Sequence, residues 1–70
     1  MKYAVIIEAG ERDYSAYVPD VPGCIATGQT VEEVKRSIRE GIALHLKGLR
    51  EDGLPIPEST TLAEYVEAEV

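Results

Sequence analysis

The stretch VPDVPGCIATGQTVEE, Val18 to Glu33, decides how this chain folds. Pro19 ends a preceding strand, because proline has no N–H to give to a β-ladder. Pro22-Gly23 signals a turn. Cys24 to Gly28 reads as a short third strand with Ile25 as its main apolar anchor. Thr30 then opens a helix as its N-cap. Glu33, three residues on, completes a capping box, in which each side chain satisfies an N–H left unpaired at the helix start. The passage holds a strand exit, a turn, a strand and a helix entry, but no standard catalytic constellation. That combination favours a surface that reads shape over one that performs chemistry.

Upstream, Lys2 to Ala9 reads KYAVIIEA. Successive side chains of a strand point to opposite faces. Tyr3, Val5 and Ile7 therefore share one face, and Ala4, Ile6 and Glu8 the other. Both sets are largely apolar, and such a strand expects cover on both sides. Gly10 to Asp13 is a polar turn, and Tyr14 to Val18 (YSAYV) a second strand. Together they predict a hairpin with a four-residue loop.

Downstream, Val31, Val34, Ile38, Ile42, Leu46 and Leu49 recur at helical spacing in one broad stripe. Glu32 and Glu33 complement the positive end of the helix dipole; Lys47 and Arg50 complement the negative end. Gly53 stops the helix and Pro55 prevents its resumption, which gives a helix of roughly 22 residues. Gly41 and Gly48 lie on one flank, where glycine weakens a helix by about 1 kcal/mol, and suggest close approach by a sheet or a partner. Leu54 to Thr60 is an extended, proline-containing connection. Residues 61–70 fit a helix or a strand; Leu62, Val66, Ala68 and Val70 alternating with glutamates favour a strand over the last six or so, with room for one helical turn before it.

The expected fold is α+β: β-β-β-α-β, a small, mostly antiparallel sheet with one long helix on one face. One helix covers one face of a sheet. The first strand is apolar on both faces, so the uncovered face is expected to be an interface, within a homo-oligomer, with another protein, or both.

Seventy residues make a single domain over residues 1–70. A domain of this size buries only about 60% of its unfolded surface and gains from partners or self-association. Thirteen acidic residues against seven basic give a net charge of −6. This charge repels phosphate backbones, which argues against direct nucleic-acid binding, and it suits a basic partner. No run is long and apolar enough to span a membrane, and no signal peptide precedes the first strand. A single cysteine, Cys24, cannot form an internal disulfide and points to the cytoplasm.

Candidate chemistry is sparse. His45 lies on the apolar side of the helix, the pattern of a packed histidine, with no evident nucleophile or carboxylate beside it. Cys24, ahead of a helix start, would need a histidine to act as a nucleophile, and His45 is about 20 Å down the helix. Glu8 and Asp20 are the one pair of carboxylates able to approach each other, the minimum for a metal-dependent nuclease, but a third is missing. Nothing indicates a cofactor or a metal site. Tyr3, Tyr14, Tyr17 and Tyr65 suit core or protein contacts better than base stacking, since few basic residues accompany them.

The YAVIIE strand, the acidic turn, YSAYVPDVPGCIATGQTVEEV, the helix ending at Gly53 and the tail GLPIPEST together resemble the HicB-like antitoxin family, over essentially the whole chain. The resemblance implies a partial ribonuclease-H-like fold without catalysis. It also implies dimers or tetramers, and a role in covering a small basic HicA-type toxin, which cleaves messenger RNA through a histidine. Many members carry a further operator-binding module; no separate C-terminal DNA-binding domain is expected within residues 1–70. The residues expected to contact a partner are Tyr17, Asp20, Val21, Pro22 and Gly23. The alternative is a solitary oligomeric domain with a different protein partner, or a minimal metal-dependent nuclease using Glu8 and Asp20.

Overall fold

Three short strands and one long helix follow one another in the computed structural model, which describes residues 1–70. They are β1 (Ile6–Ala9), β2 (Tyr14–Tyr17), β3 (Ile25–Gly28) and α1 (Val31–Glu51). The strands form an antiparallel sheet in the order β1-β2-β3. β1 and β2 are joined by the expected four-residue turn, closed by Gly10 N–H donating to Asp13 C=O at 2.8 Å.

Helix α1 packs across one face of the sheet, chiefly on β3 and β2. The core is one cluster: Ala16, Val18, Val21, Cys24, Val34 and Ile38. Tyr3, Val5, Ile7, Tyr14, Ala26 and Ile42 border it. The apolar stripe of α1 is deepest at its N-terminal half, where Val34 and Ile38 are buried; further along, Ile42, Leu46 and Leu49 are half-buried.

Both helix ends match their sequence signals. Thr30 is the N-cap, its hydroxyl accepting from Glu33 N–H at 3.0 Å. The return half of the capping box is shifted by one residue: the Glu33 carboxylate accepts from Gln29 N–H, not Thr30 N–H. At the other end Gly53 takes φ 71°, with Gly53 N–H bonded to Arg50 C=O and Leu54 N–H to Leu49 C=O. This is the Schellman pairing that a left-handed glycine allows.

Two expectations are corrected. Ile25 is not an inward anchor: it is 76% exposed on the outer face, while Ala26 and Gly28 of β3 point inward. The cause lies one residue earlier, where the turn buries Cys24, and strand alternation then turns Ile25 outward. The closing strand over the last residues is not formed either. Residues 54–70 have no regular secondary structure, and Leu62, Tyr65, Val66 and Val70 are all exposed. A strand needs a neighbour to take up its N–H and C=O groups, and none lies beside this segment. The radius of gyration, 13.8 Å, accordingly exceeds the roughly 11 Å of a compact chain of this length.

Candidate protein-binding interface

The sheet face opposite α1 is uncovered. The register aligns Ile6 with Tyr17, and Tyr17 with Ile25. These three side chains form an apolar row across all three strands, and cross-strand neighbours on one face are about 5 Å apart. Tyr17 is 42% and Ile25 76% exposed. Glu8, Ser15 and Thr27 complete the face with polar groups. An apolar centre with a polar margin and a tyrosine is the anatomy of a protein contact surface.

The turn beside this face is built by the opening stretch of sequence. Val21 N–H bonds to Val18 C=O and Cys24 N–H to Val21 C=O, both at 3.1 Å. Val18 N–H closes the loop onto Cys24 C=O at 3.2 Å. In the second turn Pro22 sits at the second position and Gly23, at φ 84°, at the third. That is the residue pattern of a type II turn, whose third position favours glycine. Val18, Val21 and Cys24 face the core, and Pro22 and Gly23 face outward.

The five residues singled out from sequence therefore separate. Tyr17 lies in the apolar row, and Pro22 and Gly23 form the exposed tip of the adjoining turn. Val21 is fully buried; it supports the turn from beneath, and a partner cannot touch its side chain. Asp20 is half-buried and its carboxylate is engaged within the chain. It accepts from Thr60 N–H and Thr61 N–H at 2.9 and 3.0 Å, and from the Thr60 and Thr61 hydroxyls at 3.1 and 2.7 Å. Sequence reasoning placed Ile25 in the core, and so omitted the most exposed member of the row.

Asp20 ties the segment after the helix to the end of β2. The backbone and hydroxyl bonds from Thr61 chiefly hold its carboxyl below the ordinary carboxylate value; desolvation opposes them, and the bonds from Thr60 add to the lowering. A lowered folded pKa means the anchor is present above the ordinary range and is lost as pH falls through the lowered value. The Thr60 and Thr61 amide resonances are expected to titrate together, with a midpoint below that of an exposed aspartate. Asp20→Ala should remove the transition. Amides that do not move, or that move at the ordinary aspartate midpoint, would refute the anchor.

The other chemical candidates are not brought together. Glu8 pairs with Ser15, whereas Asp20 lies beyond the far end of β2 and is bonded to threonines. Cys24 is a buried free thiol, and burial raises its pKa, which disfavours the thiolate. His45 is half-buried on α1. No three His, Cys, Asp or Glu side chains converge where they would hold a metal ion. No helix is long and apolar enough to cross a membrane.

Comparison with known proteins gives the family. The model of the HicB_like antitoxin of bacterial toxin-antitoxin systems matches residues 3–69. An uncharacterized 14.9 kDa protein from the rep-hol intergenic region of Haemophilus phage HP1 is 36% identical over 66 residues, covering 94% of this chain and 50% of the phage protein. A UPF0150 protein of Helicobacter pylori is 43% identical over 49 residues, covering 70% of this chain and 68% of its own length. A UPF0150 protein of Archaeoglobus fulgidus is 36% identical over 48 residues, covering 67% and 70%. The chain thus spans half the length of the phage relative and about two thirds of the other two. No solved structure is a significant match.

Proposed function

The chain belongs to the HicB-like antitoxin family of bacterial toxin-antitoxin systems, and from that premise we propose that it neutralises a small, basic, RNA-cleaving HicA-type toxin by covering its surface. The domain acts as a binding module in the cytoplasm and contributes no catalysis of its own. The observation that carries this reading is the uncovered apolar row Ile6–Tyr17–Ile25, flanked by the Pro22-Gly23 turn. A row of this kind is stable in water only at the expense of exposed apolar area, and a partner removes that area. Charge supports the same reading. At −6 the chain attracts a basic protein and speeds its encounter.

The test is whether the neighbouring reading frame encodes a small basic protein, followed by co-expression of the two. This chain is expected to restore growth that the neighbour alone arrests, and to co-purify with it. Failure of both rescue and co-purification would sink the antitoxin reading. Cleavage of RNA by the purified chain with Mg²⁺ or Mn²⁺, abolished by Glu8→Ala with Asp20→Ala, would replace it with the nuclease reading.

A further inference from the structure

A second open surface lies on the other side of the sheet, and its charge is opposite to that of the chain as a whole. β1 pairs with β2 on one side only, and α1 is offset toward β3 and β2. The free edge of β1 therefore borders an open groove of about 760 Å³. Its floor is apolar: Tyr3, Val5 and Ile7 from the β1 side, and Ile38, Ile42 and Leu46 from α1. Lys2, Lys35, Arg39 and Arg50, four of the seven basic residues, also line it, and none of the thirteen acidic residues does. In a chain of net charge −6, this segregation makes the groove a positive site on a negative molecule. It repels a basic partner and selects an acidic one.

The spacing of these groups sets what fits. On α1, Lys35, Arg39, Ile42, Leu46 and Arg50 follow one another at three- or four-residue intervals and so share one stripe of the helix. The apolar pair thus lies between two positive ends. Lys2 belongs to the Arg50 end, because its neighbour Tyr3 donates through its OH to Pro57 C=O, beyond the end of the helix. Arg39 and Arg50 are about 16 Å apart along the helix axis, and Lys35 and Arg50 about 22 Å. In an extended strand, side chains on one face are two residues apart, and six residues advance about 20 Å. A strand laid on the β1 edge, its inward side chains in the order acidic, apolar, apolar, acidic, therefore places both carboxylates at the positive ends and both apolar groups on the floor. The edge offers such a strand the backbone N–H and C=O groups of β1 that β2 does not take up.

We propose that the β1 edge and its groove bind an extended acidic segment of a second protein, added to the sheet as a fourth strand. Its first and seventh residues are acidic, its third and fifth apolar, and all four face α1. Main-chain bonds to β1 hold the segment, and the groove reads its inward side chains. The chain then has two surfaces of different preference: the apolar row Ile6–Tyr17–Ile25 on the outer face, and a basic groove for an acidic strand on the inner one. It can carry both partners at once. The inference does not rest on the antitoxin reading, since the groove shares no residue with that row.

Titration of the full chain with defined peptides, followed by amide NMR, tests it. The probe is Glu-Thr-Val-Thr-Val-Thr-Glu with blocked ends. It is expected to bind, and to slow hydrogen exchange at those amides of Ile6–Ala9 that face the free edge. Thr-Glu-Val-Thr-Val-Glu-Thr has the same composition and charge, but its glutamates point away from the groove. Loss of two surface ion pairs should weaken its binding about tenfold. Lys-Thr-Val-Thr-Val-Thr-Lys should bind more weakly still. Arg39→Glu with Arg50→Glu, both at exposed positions, neutralises each end beside Lys35 and Lys2, and should erase the difference between the two glutamate peptides. No binding of the probe, equal binding of any two of the peptides to wild type, or a difference that survives in the double variant would overturn the proposal. So would tighter binding of dodecanoate, which has the charge and apolar length but no backbone to pair and would give the groove to a lipid. Protection of the β1 edge that rises with protein concentration alone would give it to a second copy, and would overturn the proposal too. Toxin neutralisation is read in separate assays, so neither result decides the other.

Discussion

Replacing Gly28 by alanine is expected to destabilise the domain by about 1–3 kcal/mol, the range for forcing an extra carbon into a close-packed site. A Cβ on Gly28 would lie 3.0 Å from Val34 N and 3.3 Å from Val34 Cα. These are backbone atoms of the first turn of α1, and they have little room to retreat. Val34 is fully buried, and Thr30 and Gln29 pin the turn through the cap bonds. The helix start has to lift off β3, and that opens the core at Val34 and Ile38. For 70 residues total stability is only about 3.5–10 kcal/mol, so the loss is a large fraction. The same replacement at Gly48 is expected to have the opposite sign. A Cβ there meets nothing within 4 Å, and alanine gains about 1 kcal/mol over glycine in a helix interior. Gly41 is intermediate: its Cβ would sit in ordinary contact, 3.6 Å from Cys24 Sγ. Urea midpoints of the Gly28→Ala and Gly48→Ala variants on either side of wild type would bear this out. A neutral Gly28→Ala would mean that α1 does not sit tightly on β3.

The contrast among these glycines shows which parts of the molecule the sequence makes legible. Local chemistry was readable. The hairpin loop, the Pro22-Gly23 turn, the Thr30 cap and the Gly53 stop each depend on residues within a few positions of one another, and all form where expected. Gly41 and Gly48, seven residues apart, look equivalent on a helical wheel. Only the placement of Cys24 distinguishes them, and that is a tertiary fact. Gly28 reads as a mere lead-in to the helix until β3 and α1 are laid together. Ile25 was misread because a single residue of offset in the preceding turn reverses every side chain of a strand. The two-faced first strand, by contrast, correctly announced an uncovered face: Ile6 lies on it, beside Tyr17. The last residues have the alternation of a strand but pair with neither free edge of the sheet, because alternation reports a face and not a neighbour.

Changing Ile25 to glutamate is expected to abolish toxin neutralisation while leaving the domain folded. The side chain is 76% exposed, and substitutions at such positions usually alter stability by no more than about 0.5 kcal/mol. In the bound state the same position is the β3 end of the apolar row, where an unpaired charge loses its water and finds no counter-charge within the row. The cost of burying a polar group without a partner, several kcal/mol for a charge, corresponds to a loss of affinity of more than about 100-fold. Tyr17→Ala should act in the same direction, by about 2 kcal/mol or roughly 30-fold, as truncation of a central tyrosine does at protein interfaces. Leu44→Glu is the control. Leu44 is 72% exposed, close to Ile25, but it lies on α1, in the layer opposite the outer sheet face. General loss of exposed apolar area affects both glutamate variants alike, whereas contact through the outer face affects only Ile25. Titration of each variant against the toxin, with thermal melts alongside, separates the two outcomes. Wild-type affinity in Ile25→Glu, or an equal loss in Leu44→Glu, would move the contact surface away from the row.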